Sequence, residues 1–158
     1  MKFALEEAQK GAQEGEVPVG AVITLDDEII AQAHNLTETL NDPTAHAEML
    51  VIKEASQKLG RWRLTGCSLY VTIEPCSMCA GAIVWSRIDN LYIGADDPKA
   101  GACGSVLNIV ENEKLNHQVK VHRGILREQC SNLMREFFSN LRKRNKIKKE
   151  NKQNKSEE

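Results

Sequence analysis

Apolar and polar residues repeat with two different periods along this chain, and each change of period marks the boundary of a predicted element. Residues 2–14 have helical spacing, and "GEVPVG" ends that helix. The runs "VGAVITL" and "EIIAQAHN" are typical of strands, and "DDE" between them predicts a hairpin turn. A predicted loop, "LTETLNDPT", leads to a helix over residues 45–60, with Gly60 as its C-terminal cap.

The second half of the chain continues this alternation of strands and helices. "CSLYVTIEP" is a continuous apolar run of the kind found in a buried central strand. An apolar helix, "CSMCAGAIVWSRI", follows, then the strands "NLYIGA" and "QVKVHRGI" and a long helix over residues 126–146. The order α-ββ-α-β-α-β-β-α predicts an α/β fold, a three-layer α-β-α domain with a central five-stranded mixed sheet.

Charge is distributed unevenly along the chain. Residues 1–141 contain 13 basic and 19 acidic side chains, whereas residues 142–158 contain 8 basic and 3 acidic ones. With 158 residues in total, we expect a single domain over residues 1–145 and a basic, disordered C-terminal tail over residues 146–158. Such a tail favours a polyanionic partner, although a tail that only increases solubility has the same composition.

Cysteine content and hydropathy indicate a cellular compartment. The five cysteines are an odd number, which favours reduced thiols over a disulfide framework. The sequence has no apolar run of about 18 residues, the length that a membrane span requires. The N-terminal segment also lacks the apolar core of a signal peptide. We therefore expect a cytoplasmic protein without a membrane partner.

Cys76 and Cys79, at the start of a predicted apolar helix, are the first indication of chemistry. Their spacing places both sulfurs on one helix face, and a helix N-terminus stabilises the thiolate form that binds metal. Taken alone, the two residues could also be a redox pair or two core cysteines. The chain has no second Cys-x-x-Cys pair, which excludes a four-cysteine structural zinc site.

His46 and Glu48 open the preceding predicted helix and complete a candidate metal site. Two thiolates and one imidazole leave a coordination position for water, which is the arrangement of catalytic rather than structural zinc. A carboxylate beside that water can accept its proton and pass it to a leaving nitrogen. Alone at a helix start, either residue is more often a cap or a dipole partner, so the hypothesis requires "HAE" and "PCSMC" to meet in space.

These two motifs, together with "GEVPVGAV", "DPTAHAEM", "LYVTIEPCSMCAGAI", "GADDPKAGACGS" and "EFF", resemble those of the bacterial tRNA-specific adenosine deaminases. Those enzymes are part of the zinc-dependent cytidine/deoxycytidylate deaminase superfamily, and the resemblance extends over nearly the whole chain. It implies a cytidine deaminase-like fold, one Zn²⁺ per subunit, a homodimer and a tRNA anticodon stem-loop as partner. The implied reaction is hydrolytic deamination of adenosine to inosine at the wobble position.

The resemblance also assigns roles to individual residues. His46, Cys76 and Cys79 match the zinc ligands, and Glu48 matches the catalytic proton shuttle. Substrate or RNA contacts are implied for six further residues: Asn35, Asp97, Lys99, Phe138, Arg142 and Arg144. Considered without the resemblance, Asn35, Asp97 and Lys99 could be turn or surface residues and Phe138 could belong to the core.

Two other functions are compatible with the same motifs. A deaminase of free bases or nucleosides, of the guanine or cytosine type, would use the same metal site but would not need the basic C-terminal helix or the "DDPK" loop. Trp85 slightly favours this alternative, because related free-base deaminases also have a tryptophan after the Cys-x-x-Cys helix. A zinc-stabilised RNA-binding module without catalysis would not need Glu48 beside an open coordination position.

Overall fold

The computed structural model describes residues 1–156, and side chains as far as Gln153. The elements in chain order are α1 (Lys2–Gln13), β1 (Gly20–Leu25), β2 (Glu28–His34), α2 (Thr37–Leu40), α3 (Ala47–Leu59), β3 (Cys67–Ile73), α4 (Ser77–Trp85), β4 (Asn90–Ala95), β5 (Lys120–Arg123) and α5 (Arg127–Ser156). The predicted order of strands and longer helices is confirmed. No helix in this part of the chain is both long and apolar enough to cross a bilayer.

The sheet is mixed, as predicted, and its strand order is β2-β1-β3-β4-β5. β1 is antiparallel to both β2 and β3, whereas β4 is parallel to both β3 and β5. The β1–β2 hairpin turns at Asp26 and Asp27, which both have positive φ angles, 50° and 63°. Two successive positive φ angles match the right-handed twist of the flanking strands, and aspartate tolerates them better than most residues.

Two glycines allow helices to pack closely on one face of the sheet. Gly20 and Gly94 lie on either side of Thr72 in the central strand, and the Thr72 hydroxyl accepts a hydrogen bond from the Gly20 amide at 3.1 Å. A Cβ atom at Gly20 would lie 1.9 Å from the Ala4 carbonyl of α1, and one at Gly94 would lie 2.4 Å from Cys130 Sγ of α5. Glycine at both positions therefore lets α1 and α5 cover this face.

The opposite face of the sheet is covered by α3 and α4. Because side chains alternate along a strand, Leu69 and Val71 of β3 point away from Thr72, and both are fully buried. They belong to one apolar cluster with Val51 of α3 and Ile83 of α4. The result is the predicted three-layer arrangement, in which the parallel strands β3 and β4 end beside the first turns of α3 and α4.

Helix α2 lies within residues 36–44, which the sequence predicted to be a loop, so that prediction was wrong. Its amide groups are satisfied by a distant side chain rather than by a local cap. The carboxylate of Glu16 accepts hydrogen bonds from the amides of Thr39 at 2.7 Å and Glu38 at 3.2 Å, and from the Thr39 hydroxyl. A pattern read over neighbouring residues cannot detect a partner that lies more than 20 residues earlier.

Helix α5 continues to Ser156, so the predicted disordered tail from residue 146 is wrong for the described residues. The segment is rich in lysine, which favours helix, and it extends a helix whose first turns are already packed on the sheet. Extension of an existing helix avoids the unfavourable nucleation step that an isolated segment of this composition would face. Residues 157 and 158 of the predicted tail lie outside the described part of the chain.

Candidate metal and catalytic site

The N-termini of α3 and α4 bring the three predicted metal ligands together. His46 is the N-cap residue of α3, Cys76 is the N-cap residue of α4, and Cys79 lies in the first turn of α4. The Nδ1 atom of His46 is 3.7 Å from Cys76 Sγ and 3.6 Å from Cys79 Sγ. All three ligand atoms lie within 4.8 Å of one another, so "HAE" and "PCSMC" meet as the hypothesis required.

These distances fit a tetrahedral zinc ion. Zinc lies about 2.3 Å from a cysteine sulfur and about 2.0–2.1 Å from a histidine nitrogen, which places the two ligand atoms roughly 3.5–3.6 Å apart. The donor set of two sulfurs and one imidazole nitrogen is also one that zinc prefers over harder cations such as Mg²⁺ or Ca²⁺. His46, Cys76 and Cys79 are therefore positioned to hold one zinc ion and to leave its fourth position open.

The two thiols differ in acidity because they share one proton. Hydrogen bonds from Cys79 and His46 lower the pKa of Cys76 to about 3. The hydrogen bond to Cys76 and burial raise the pKa of Cys79 well above its usual value. The first thiolate is thus present at neutral pH, and a divalent cation would displace the remaining proton on binding, since metal-coordinated thiols are deprotonated.

Glu48 is buried in the first turn of α3, next to the metal ligands. Glu48 is 3% exposed, and its Oε2 atom has no hydrogen-bond partner among the described residues. Burial raises the pKa of Glu48 to about 7, although the nearby His46 opposes that rise. A carboxyl group that is nearly balanced between its two protonation states can both accept and donate a proton, as a general acid–base catalyst must.

Asn35 fixes the start of α3 and also faces the pocket. Its Oδ1 atom accepts a hydrogen bond from the Ala47 amide at 2.8 Å, which satisfies one of the free amides of the first turn. Because the donor is an amide, this contact determines the orientation of the side chain and leaves Nδ2 as the free donor. Asn35 lines the same pocket as His46 and Glu48, so this amide can contact a bound molecule.

The opposite wall of the pocket is held by Glu74, which sequence analysis did not predict as a site residue. Its side chain accepts hydrogen bonds from the Ser105 hydroxyl at 2.6 Å, the Ser105 amide at 3.2 Å and Arg123 Nη1 at 2.9 Å. Burial alone would raise the pKa of Glu74, but the contacts with Ser105 and Arg123 outweigh it and lower that pKa. A Cβ atom at Gly101 would lie 1.8 Å from the Glu74 carboxylate, so only glycine allows this approach.

Asp97 and Lys99 lie in the loop that Glu74 holds. The Asp97 carboxylate lines the pocket and accepts hydrogen bonds from its own turn, from the amides of Lys99 at 3.0 Å and Ala100 at 3.2 Å. Lys99 is exposed and faces α5, where it lines a surface groove with Phe138 and Arg142. The structure therefore brings four of the predicted RNA-contacting residues to one side of the pocket.

Arg144 is placed differently from Arg142, although the sequence predicted the same role for both. It lies in a separate groove between α5 and α1, beside Ala12 and Phe137. Two residues along a helix correspond to a rotation of about 200°, so the two arginines point to different sides of α5. Arg144 is thus not part of the group formed by Lys99, Phe138 and Arg142.

The pocket has a volume of about 330 Å³ and includes residues that the sequence analysis did not predict. These additional lining residues are Glu16, Val17, Val19, Thr37, Glu38, Ile73, Glu74, Ala100 and Met134. Six of them lie within the quoted motifs "GEVPVGAV", "LYVTIEPCSMCAGAI" and "GADDPKAGACGS", which was the one available signal: Glu16, Val17, Val19, Ile73, Glu74 and Ala100. Thr37, Glu38 and Met134 lie outside those motifs and reach the pocket only through the tertiary fold.

A separate apolar surface lies at the other end of α4. Trp85 is 70% exposed and borders a groove that includes Ile109 and Leu115. Large exposed apolar side chains that are grouped in this way are typical of surfaces that contact another protein. This groove shares no lining residue with the pocket that contains the metal ligands.

Comparison with known proteins shows that this chain is similar to deaminases in both sequence and structure. A family model for MafB19-like deaminases matches residues 1–142. The tRNA-specific adenosine deaminase of Bacillus subtilis (strain 168) is 52% identical over 151 residues, which covers 96% of this chain and 94% of that protein. A structure from studies of A-to-I editing by tRNA:A34 deaminases at the wobble position of transfer RNA is 45% identical, with a TM-score of 0.82, and covers 84% of this chain and 96% of that one. A guanine deaminase from Nitrosomonas europaea is 26% identical, with a TM-score of 0.75, and covers 86% of this chain and 81% of that one.

Proposed function

We propose that this chain is an enzyme that deaminates adenosine to inosine at the wobble position of a tRNA anticodon. The premise is that the chain belongs to the MafB19-like deaminase family. The observation that carries this proposal is the buried Glu48 carboxylate, which has one oxygen without a partner beside three converging metal ligands. The tRNA substrate is supported by the tRNA-specific adenosine deaminase that is 52% identical over nearly the full length of both chains.

His46, Cys76 and Cys79 would hold the zinc ion. When bound, zinc would lower the pKa of the attacking water to about 7. Glu48 accepts a proton from that water as its oxygen attacks C6 of adenine. Glu48 delivers that proton to N1. It then accepts the second proton of the attacking oxygen and passes it to the amino group, so that a C–O bond replaces the C–N bond and ammonia leaves. The low-polarity surroundings that raise the pKa of Glu48 make this carboxyl suited to both transfers.

The other lining residues position the base. The pocket can admit a base only after it leaves its stack, and anticodon loops expose bases that can be splayed out in this way. The free amide of Asn35 reaches the pocket from the α3 side, and Asp97 borders it from the loop. Lys99, Phe138 and Arg142 line the adjoining groove, where they would contact the flanking nucleotides. Arg144, on the α1 side of α5, would contact RNA only if the RNA also reaches that groove.

The protein is further proposed to act as a homodimer in the cytoplasm. The apolar groove beside Trp85 and Leu115 is a suitable surface for a second copy of the chain, because burying it would remove two large exposed side chains from water. Reduced cysteines support the cytoplasmic assignment, since all five are free in the structure. Analytical ultracentrifugation of the parent protein and of Trp85→Ala would test the dimer, which the variant is expected to weaken.

The reaction is tested by incubating the zinc-loaded protein with an anticodon stem-loop that has adenosine at the wobble position, and by reading inosine after sequencing. A Glu48→Ala variant with measured zinc content is the control. Inosine from the parent and none from the variant is expected. No inosine from the parent on stem-loops or on full-length tRNA would overturn the tRNA proposal.

Deamination of a free base is the second candidate function, favoured by the likeness to a guanine deaminase structure. It predicts ammonia release from free guanine or cytosine at a rate that exceeds deamination of the stem-loop. The basic groove formed by Lys99, Arg135 and Arg142 favours the RNA substrate, because a free base has no phosphates for these side chains to contact.

A further inference from the structure

Glu16 has a buried carboxylate for which the proposed reaction has no use. It lies in the segment between α1 and β1, is 1% exposed, and lines the pocket that contains His46 and Glu48. Burial by itself would raise the pKa of Glu16, but hydrogen bonds from Thr39 and Glu38 outweigh it and lower that pKa. Glu16 is therefore ionised at neutral pH and bound to another part of the chain.

The partners of this carboxylate within the described residues all belong to α2. Its Oε1 atom accepts hydrogen bonds from the Thr39 amide at 2.7 Å and the Thr39 hydroxyl at 2.8 Å, and its Oε2 atom accepts one from the Glu38 amide at 3.2 Å. Hydrogen bonds to an ionised acceptor are about twice as strong as those between neutral groups. Glu16 thus binds the middle of α2 strongly.

Helix α2 has few other contacts that could fix its position. None of the residues Thr37–Leu40 is buried, and Leu36 before them provides no side-chain cap. A helix of one turn is unstable unless tertiary contacts hold it. The ends of the loop that contains α2 are joined, because the Leu36 amide donates to the Ala45 carbonyl at 3.0 Å. The position of the middle of this loop therefore depends on Glu16.

The residues that Glu16 holds form part of the pocket wall. Thr37 and Glu38 line the pocket together with His46 and Glu48. The amide of Glu38 is itself one of the donors to Glu16, so the contact acts directly on a residue that borders the bound molecule. If this wall moved away, the pocket would widen and would bury and orient a base less well.

We propose that Glu16 is a positioning residue, whose carboxylate holds α2 at the pocket so that Thr37 and Glu38 confine the substrate. The inference rests on the proposed function, because it takes that substrate to be the adenosine of the anticodon loop. In this role Glu16 acts through α2 and not on the reacting atoms. Loss of its charge should therefore weaken substrate binding and leave the chemical step almost unchanged.

The first test compares zinc-loaded Glu16→Gln with zinc-loaded Glu7→Gln. Each change removes the charge of a buried carboxylate, but Glu7 lies in α1, forms a hydrogen bond with His34, and does not line the pocket. Glutamine keeps the shape of the side chain, but its amino group cannot accept a hydrogen bond from an α2 amide. Hydrogen exchange over residues 36–44 is measured by mass spectrometry, and KM and kcat are measured for inosine formation on an anticodon stem-loop.

Glu16→Gln should accelerate hydrogen exchange over residues 36–44 by about tenfold or more, because it weakens charge-assisted hydrogen bonds to α2. Exchange in β3 is the reference for a general loss of stability. KM should rise about tenfold while kcat stays within about threefold of the parent. Glu7→Gln should change neither KM nor the exchange over residues 36–44 by more than about twofold.

A second pair of variants tests the same contact from α2, where Thr39 is exposed and its substitution leaves the core intact. Thr39→Val removes the hydroxyl donor and keeps the amide, so it should raise KM about threefold. Thr39→Ser keeps both donors and should retain the KM of the parent.

Unchanged exchange over residues 36–44 in Glu16→Gln would overturn the proposal, and so would a fall in kcat with an unchanged KM. Equal KM values in Glu16→Gln and Glu7→Gln, or in Thr39→Val and Thr39→Ser, would overturn it as well. A parent protein that forms no inosine would overturn the proposed reaction, whereas hydrogen exchange would still show whether Glu16 holds α2. The two failures are therefore distinguishable.

Discussion

Two buried glutamates line the same pocket and have opposite environments. Glu48 and Glu74 are each 3% exposed. Glu48 has an oxygen without a partner among the described residues, and burial raises its pKa to about 7. Glu74 accepts hydrogen bonds from Ser105 and Arg123, and these contacts lower its pKa in spite of burial.

The difference shows that burial alone does not determine what a carboxyl group does. A carboxylate whose lone pairs are all satisfied stays ionised and holds its partners in place, as Glu74 holds the loop with Ser105. A carboxylate with one oxygen that lacks a partner exchanges its proton readily and is available to a substrate, as Glu48 is. The pocket thus combines a reactive side on α3 with a rigid side between β3 and β5.

The largest effect is expected for Glu48→Gln, which keeps the shape of the side chain and removes its ability to accept a proton. The kcat for ammonia release from the stem-loop should fall by about 10²–10⁴-fold, the usual contribution of a general acid–base group. Zinc content should stay at the parent level, because His46, Cys76 and Cys79 are unchanged. A variant that keeps more than a tenth of the parent kcat would contradict the role of Glu48.

A smaller effect on activity is expected for Glu74→Gln, which should mainly loosen the loop that forms one wall of the pocket. Arg123 and Ser105 then lose the buried carboxylate, although Arg123 keeps its ion pair with Asp96, and the free energy of unfolding should fall by about 1.5–3 kcal/mol. The loosened loop should raise KM for the stem-loop more than it lowers kcat. Urea denaturation and steady-state kinetics would measure both. Ser105→Ala is the matched control, since it removes only the hydroxyl contact and should cost about 1 kcal/mol.

Asn35 has a structural role through its side-chain oxygen and a proposed substrate contact through its side-chain amino group, and different substitutions can separate the two. Asn35→Asp retains an oxygen for the Ala47 amide but loses the free amino group, so stability should change by less than about 0.5 kcal/mol while kcat/KM falls about tenfold. Asn35→Ala also removes the contact with α3 and should destabilise by about 1 kcal/mol. Equal kcat/KM in the Asp variant and the parent would show that the amide does not contact the substrate.

The smallest effect is expected from substitution of His34, which lies outside the pocket and forms hydrogen bonds with two carboxylates. Burial by itself would lower the pKa of His34, but hydrogen bonds to Glu7 at 2.9 Å and Glu14 at 2.8 Å outweigh it and raise that pKa. A raised pKa stabilises the fold below the unfolded-state value of about 6.5, and this stabilisation is lost as pH rises through the folded-state pKa.

His34→Asn should therefore lower the free energy of unfolding by up to about 1 kcal/mol at pH 6 and by less at pH 9, as measured by urea denaturation. Its kcat on the stem-loop should equal that of the parent, because His34 does not line the pocket. A loss that grows with pH would mean that the histidine is neutral in the folded protein.

Local patterns predicted those parts of the molecule that depend on neighbouring residues. The strands and longer helices follow from hydrophobic spacing, and His46, Glu48, Cys76 and Cys79 follow from two short motifs whose spacing has a chemical reason. Gly60 caps α3 with a positive φ of 63°, as a glycine after a helix indicates.

The remaining features depend on contacts between distant residues. Glu74 and Arg123 are 49 residues apart, and Glu16 caps a helix more than 20 residues later. The different positions of Arg142 and Arg144 depend on how α5 packs against α1. The extension of α5 reflects an existing helix rather than the composition of the tail, which by itself indicates disorder.

The account is tested most directly by the single-turnover rate of inosine formation on a saturating anticodon stem-loop, measured side by side for zinc-loaded Glu48→Gln and Glu74→Gln. We expect Glu48→Gln to fall at least about 100-fold below the parent and Glu74→Gln to stay within about tenfold. Comparable losses in both variants, or a larger loss in Glu74→Gln, would contradict the division of the pocket into a reactive and a supporting side.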